Sequence, residues 1–284
     1  MKIAILGTEN SHAYAFAKLI KTDAAYSDIE IVGAYGYDAN ANQKLLDEGL
    51  VTRFADKPDA FVNEVDGILC TARHGDHHYE YALPYVKAGK AAFIDKPFTV
   101  KEEYTDALIN AAKESGALLC GGSSLKFFPG LEEVNAFVKE NTIIGGYVGA
   151  PINMVNDYAG FYFYSQHLVE LMFGAFGNDV KAVTAYCPDQ SINRLSVIFD
   201  YGAFDVMGQY TSSYAYNVTA FAAKECKTRY STSLDGCYQK ELNEFIEMAR
   251  TGKMPHSFEE LRKPVALLWA IEKSFKTGTK VELN

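Results

Sequence analysis

No apolar stretch in the 284-residue chain approaches membrane-spanning length. The N-terminus, Met1-Lys2-Ile3-Ala4-Ile5-Leu6-Gly7, lacks a signal-peptide layout, because its short apolar run ends in a loop rather than a cleavage site. No basic run stands out and the formal net charge is −9, which argues against a general nucleic-acid binder. The five cysteines show no C-x-x-C spacing, and Cys70 and Cys120 lie in strand-like contexts. Free, buried thiols in a cytoplasmic protein are the expectation. Internal repeats and low-complexity segments are missing as well. What remains is an ordinary soluble chain, 48% hydrophobic and 22% charged, long enough for about two domains.

The first part alternates strands with helices. Ile3–Leu6 reads as a strand running into Gly7 and the polar turn Thr8-Glu9-Asn10-Ser11. Asn10 or Ser11 caps a helix with Tyr14, Phe16, Leu19 and Ile20 on one face. Strands follow at 29–35, 65–71, 91–95 and 117–120; helices are expected at 42–48, 78–88 and 102–115, closed by Gly49, Gly89 and Gly116. This spacing predicts a doubly wound parallel sheet over residues 1–122. After Gly121-Gly122 the pattern becomes a helix (129–140) and alternating strands at 147–155, 181–187, 195–200, 203–212 and 216–224. Helices at 238–251 and 259–276 close the chain. Residues 123–284 are therefore expected to form a separate α+β domain with an open, mainly antiparallel sheet. Its many Tyr and Phe residues, around 158–164 and 210–221, suit core, cleft lining or a subunit interface.

One strand, beginning at Ala91, delivers Asp95-Lys96-Pro97 at its C-terminal end. Ligands of open α/β sheets sit outside the carboxyl ends of the strands, so Lys96 points toward a cleft. Pro97 biases Lys96 toward extended backbone. The run His74-Gly75-Asp76-His77-His78 has ligand-type residues without tetrahedral spacing, and no metal is expected there.

His78-x-Glu80-x-Ala82, Lys87-Ala88-Gly89-Lys90 and Asp95-Lys96-Pro97 together resemble, in order and spacing, a run typical of the Gfo/Idh/MocA oxidoreductases (glucose–fructose oxidoreductase, inositol dehydrogenase, rhizopine catabolism). Lys126-Phe127-Phe128-Pro129, His167-Leu168-Val169-Glu170 with Gly174, the hairpin Ile198–Ala203 and Ser274-x-x-x-Gly278-x-x-Val281-x-Leu283 extend the resemblance over nearly the whole chain. It implies an N-terminal Rossmann domain, a C-terminal sheet domain that makes homodimers or homotetramers, and NAD or NADP as cofactor. It also implies hydride transfer to or from a sugar, polyol or related hydroxy compound. Carried over, Lys96 stabilises alkoxide-like charge and His167 acts as general base. Gly7, Thr8, Asn10, Ser11, His12, Asp38, Thr71, His78, Asp95, Lys96 and Pro97 are the implied cofactor contacts, and Lys126, Tyr164 and His167 the implied substrate contacts.

The chain departs from that pattern at four places. Glu9 and His12 stand where the second and third fingerprint glycines belong, and a carboxylate at 9 repels a pyrophosphate unless it turns to solvent. Gly36 replaces the ribose-binding acid, with Asp38 two residues on as substitute. Phe163 stands four residues before His167 where a carboxylate is usual. Tyr164 either partners His167 as a third catalytic group or, with Phe161 to Phe163, lines an apolar cleft. Asp95 replaces a Glu, one methylene shorter, and is expected to keep the charge partnership with Lys96. These departures motivate two alternatives to the redox enzyme: a non-catalytic nucleotide- or sugar-binding sensor, and non-redox chemistry on a tightly held, recycled cofactor.

Overall fold

Ile3 to Leu6 are fully buried and form β1 (Lys2–Leu6). In chain order there follow α1 (Ser11–Thr22), β2 (Glu30–Tyr35), α2 (Ala39–Asp47), β3 (Gly67–Cys70), α3 (Gly75–Lys87), β4 (Ala91–Asp95), α4 (Glu102–Ser115) and β5 (Leu119–Gly122). Next come α5 (Leu131–Glu140), β6 (Ile143–Pro151), α6 (Tyr162–Phe176), β7 (Ala182–Tyr186), β8 (Leu195–Asp200), β9 (Asp205–Thr211), β10 (Tyr216–Ala222) and β11 (Cys226–Ser231). The chain closes with α7 (Cys237–Thr251), α8 (Phe258–Thr277) and β12 (Val281–Glu282). This computed structural model describes residues 1–283.

The chain divides into two units: Met1–Gly122 with Tyr238–Arg262, and Ser123–Cys237 with the segment from Lys263 onward. The expected division at 122/123 therefore needs one correction. The helix expected to close the second domain, α7, joins the first unit, because Leu242, Phe245, Ile246 and Met248 complete the core formed by Ile3, Ile5, Phe16 and Phe93.

In the first unit the strands are all parallel, in the order β2-β1-β3-β4-β5. Phe54 adds a parallel bridge to Ala34, flanked by bonds from Ala34 N–H to Arg53 O and from Ala55 N–H to Ala34 O. That abbreviated strand beside β2 extends the order to the one typical of dinucleotide-binding sheets. Two helices start earlier than the apolar periodicity indicates, for a local reason. Asp38 Oδ1 accepts the N–H groups of Asn40 and Ala41, and His74 Nδ1 accepts that of Asp76, so the caps begin α2 and α3 three residues sooner. Gly116 ends α4 in the left-handed conformation at φ 76°.

The second unit carries a seven-stranded sheet, ordered β11-β10-β6-β9-β8-β7-β12, with β6 and β9 parallel and every other pair antiparallel. One face is covered by α6, whose Leu168 and Phe176 reach strand glycines. A methyl group at Gly146 would press on the Phe176 ring, and one at Gly208 on Phe199. The other face carries Thr184, Ile198, Met207 and Tyr147 in register across four strands. The strands at 226–231 and 281–282 were not anticipated. β11 has no fully buried residue, so it lacks the apolar alternation that marks a half-buried strand. All five cysteines are free, but only Cys70, Cys120 and Cys237 are buried; Cys226 is exposed. Among the described residues, no helix is long and apolar enough to cross a membrane.

Candidate functional site

Chemistry-bearing groups gather in two clusters, one in each unit. In the first unit the strand order reverses between β1 and β3, and the ligand crevice of such sheets opens outside their carboxyl ends. Gly7 follows β1 at φ 92°, and a Cβ there would fall on the backbone nitrogen of Ala72. The turn thus requires glycine on both conformational and steric grounds. Thr71, fully buried, donates its hydroxyl to Gly7 O at 2.9 Å. Asn10 caps α1, and Ser11 is exposed at its first turn. A helix N-terminus behind a tight glycine turn offers backbone N–H groups to an anion.

Glu9 does not turn to solvent. It is 6% exposed, and its Oε1 accepts the Arg73 N–H at 3.1 Å while Oε2 is buried without a hydrogen-bond partner. Burial pushes its pKa above the usual value, against the opposing pull of backbone N–H groups, His77 and Arg73. Gly36 is likewise explained by what fills the space beside it. A Cβ at position 36 would fall on Thr8 Oγ1, which hydrogen-bonds Asn42 Oδ1, while Asn42 Nδ2 donates to Gly36 O at 2.8 Å. A neutral Thr8–Asn42 pair therefore stands where a ribose-binding carboxylate is usual. Asp38 does not substitute freely, since its Oδ1 is engaged in capping α2.

At the end of β4, Asp95 is fully buried. Its Oδ1 accepts the Lys96 backbone N–H at 2.7 Å, and its Oδ2 accepts Asn10 Nδ2 at 3.1 Å and lies 2.7 Å from His12 Nδ1. Burial opposes ionisation of Asp95, but His12, Lys96 and His78 outweigh it and hold the carboxyl below its usual pKa. Lys96 is 4% exposed and joined to Pro97 by a cis peptide bond. Burial lowers its pKa, with Asp95 and Glu241 pulling the other way. His78 departs from its expected role as a cofactor contact. It is fully buried, with Nδ1 2.7 Å from Pro97 O and Nε2 2.8 Å from Ala72 O, so it ties together the turns after β3 and β4. Burial keeps its pKa low. Among the described residues, no group of three or more His, Cys, Asp or Glu is arranged to hold a metal.

The second cluster centres on His167 of α6. Its Nδ1 lies 2.6 Å from Ser123 Oγ, whose backbone N–H donates to Glu170 Oε1 at 2.9 Å. Gln166 Nε2 also donates to Glu170 Oε1, at 2.5 Å. The group that orients His167 is therefore Ser123, which sequence reasoning missed. Tyr164 packs its ring 5.3 Å from the imidazole, and Phe163 packs on Tyr158 and Tyr164. Lys126 Nζ lies 5.2 Å from the Phe127 ring centre. Ser123 carries no distinctive sequence signal. Glu170, three residues after His167 on the same helical face, does.

Residues 1–122 match the model of the Gfo/Idh/MocA oxidoreductases, described as an NAD-binding Rossmann fold. An inositol 2-dehydrogenase of Paracoccus denitrificans is 32% identical over 117 residues, 40% of this chain and 33% of its own length. A scyllo-inositol 2-dehydrogenase (NADP(+)) of Bacillus subtilis is 22% identical over 135 residues, 47% of this chain and 40% of its own. The matches thus span less than half the length of these curated relatives. The myo-inositol 2-dehydrogenase structure from Lactobacillus plantarum superposes over 100% of this chain and 99% of that one, with TM-score 0.87 at 13% identity, which shows a shared fold.

The buried Glu9 carboxyl has a consequence for the stability of the first unit. A carboxyl whose folded pKa lies above the unfolded one weakens the fold as pH rises through that interval. Glu9→Gln is expected to unfold at a higher temperature than wild type at pH 7 to 8. The difference should shrink toward zero as pH falls below the ordinary carboxyl value of 4.5, followed by thermal melts. An advantage that is the same at every pH would show that Glu9 is ionised equally in both states.

Proposed function

We propose that the protein is an NAD(P)-dependent oxidoreductase that transfers a hydride to or from a sugar, polyol or related hydroxy compound. The observation that carries this reading is the buried Lys96 ammonium at the carboxyl end of β4, in a unit whose Gly7 turn feeds the N-terminus of α1. The inositol dehydrogenases among the matched relatives support the substrate class.

The residues present fit the cofactor's pyrophosphate end. Gly7 allows close backbone approach, and Asn10 and Ser11 present the start of α1. At the adenosine end, Thr8 and Asn42 offer a neutral hydroxyl and amide in place of a carboxylate, compatible with NAD or NADP. A bound nicotinamide supplies the hydride donor or acceptor. Lys96 donates a hydrogen bond to the reacting hydroxyl and favours alkoxide-like charge, an interaction strengthened in a low-dielectric site. His167, whose Nδ1 hydrogen-bonds Ser123 Oγ, is the general base that takes the hydroxyl proton in this reading. Tyr164 flanks that imidazole as a substrate-facing ring, and Lys126 contributes a further cation.

A non-catalytic sensor is the second reading, favoured by the Glu9 carboxylate standing where a glycine usually meets phosphate. It requires nucleotide binding with no substrate-dependent change in nicotinamide absorbance across a panel of sugars and polyols.

The outward face of the second unit's sheet exposes Tyr186, Ile198 and Met207, which with Tyr147 and Thr184 line a pocket of about 170 Å³. We propose that a second copy of the chain covers it, since an apolar sheet face of this extent is unfavourable in water.

Calorimetric titration is expected to show binding of NADH, NADPH or both, and failure of both to bind at millimolar concentration would sink the redox reading. Lys96→Met should abolish turnover with nucleotide affinity largely kept; unchanged turnover would remove Lys96 from the mechanism. Ser123→Ala should lower kcat by about tenfold or more through loss of imidazole orientation, again with nucleotide affinity kept. Met207→Lys should shift the mass measured by light scattering toward the monomer, and an unaltered oligomer would place the interface elsewhere.

A further inference from the structure

We infer that Glu241 of α7 is the positioning residue that keeps the side chain of Lys96 in its ammonium form. The inference rests on the role given to Lys96 above. Asp95, the adjacent carboxylate, is engaged by other groups: Oδ1 accepts the Lys96 backbone N–H, and Oδ2 serves Asn10 and His12. A second negative charge comes from the helix that returns to this unit late in the chain. Tyr238, one residue into α7, packs its ring 4.5 Å from that of His12, which brings one face of α7 to the Asp95 group. Glu241 lies three residues on, along the same face of the helix, and is fully buried. Its neighbours in sequence, Leu242, Phe245 and Ile246, are core residues. A carboxylate in such a stripe is unfavourable unless a cation answers it.

The charges that act on Lys96 come from four elements. Asp95 at the end of β4 and Glu241 of α7 favour the ammonium; Arg73, in the turn after β3, opposes it, and protonated His78 of α3 would also do so. Burial by itself favours the neutral amine, which can donate a hydrogen bond but cannot stabilise an alkoxide by charge. Replacing Glu241 by the neutral isostere leaves Asp95 alone, already shared with His12, against burial and Arg73.

The test measures the protonation of Lys96 directly. Competitive acetylation of the intact protein with acetic anhydride across pH, read at Lys96 by mass spectrometry, compares wild type with Glu241→Gln and Glu241→Asp. In Glu241→Gln the half-reaction pH of Lys96 should fall by about one pH unit, which raises its labelling near pH 7 roughly tenfold. Glu241→Asp, which withdraws the charge by one methylene, should give an intermediate fall and remains informative if the Gln variant does not fold. The high-pH limb of the kcat profile in Glu241→Gln should move down in parallel. Unshifted Lys96 labelling in both variants, or equal shifts in Gln and Asp, would overturn the inference. A shift in labelling with an unmoved kcat profile would uphold Glu241 as the counter-charge and overturn the catalytic reading of Lys96 instead.

Discussion

A carboxylate with no solvent exposure, Asp95 at the end of β4, is the constraint on which the ligand-facing end of the first unit depends. An ionised carboxyl in a protein interior is tolerated only when charges and hydrogen-bond donors surround it. Here the support comes from three places: the Lys96 backbone N–H, the Asn10 amide that also caps α1, and the His12 ring at ion-pair distance. One side chain thereby sets the backbone next to Lys96, the start of α1 and the turn after Gly7. His12 also accounts for the missing third fingerprint glycine. The space such a glycine leaves for close helix packing is occupied by an imidazole that serves Asp95 and packs, tilted, against Tyr238.

The same logic of filling explains the other departures in this unit. Glu9, buried on the Arg73 N–H, and the Thr8–Asn42 pair beside Gly36 are local solutions that close a loop on itself. Each removes a group that would meet a dinucleotide in the usual pattern and substitutes a polar contact within the protein. In the second unit the imidazole of His167 is hydrogen-bonded to the Ser123 hydroxyl, and the Ser123 backbone N–H donates to the Glu170 carboxylate. A carboxylate thus bears on His167 through two hydrogen bonds, from three residues beyond it rather than from four residues before.

Much of this architecture was legible beforehand, and the legible parts share a cause. Alternating buried strands and capped helices write their periods into the chain, so the parallel sheet, α4 with its Gly116 cap and the hairpin strands β7 to β10 are visible as patterns. β11 was not, because an edge strand has no fully buried side to mark; its Lys227 and Arg229 instead reach the Glu133 carboxylate of α5. The three residues missing at the start of α2 and α3 reflect capping by Asp38, first read as a cofactor contact, and by His74.

The linear order of residues determined the two sheets and the position of Lys96 at a strand's carboxyl end. Those follow from short-range periodicity and from the stiffness of turns, which act over a few residues. Tertiary structure alone decided which charges answer which. Glu241 and Tyr238 come to the Asp95–Lys96 group from more than a hundred residues away, and Ser123 meets His167 across 44. Desolvation and Coulomb attraction depend on distance through the folded interior, which separation along the chain does not encode.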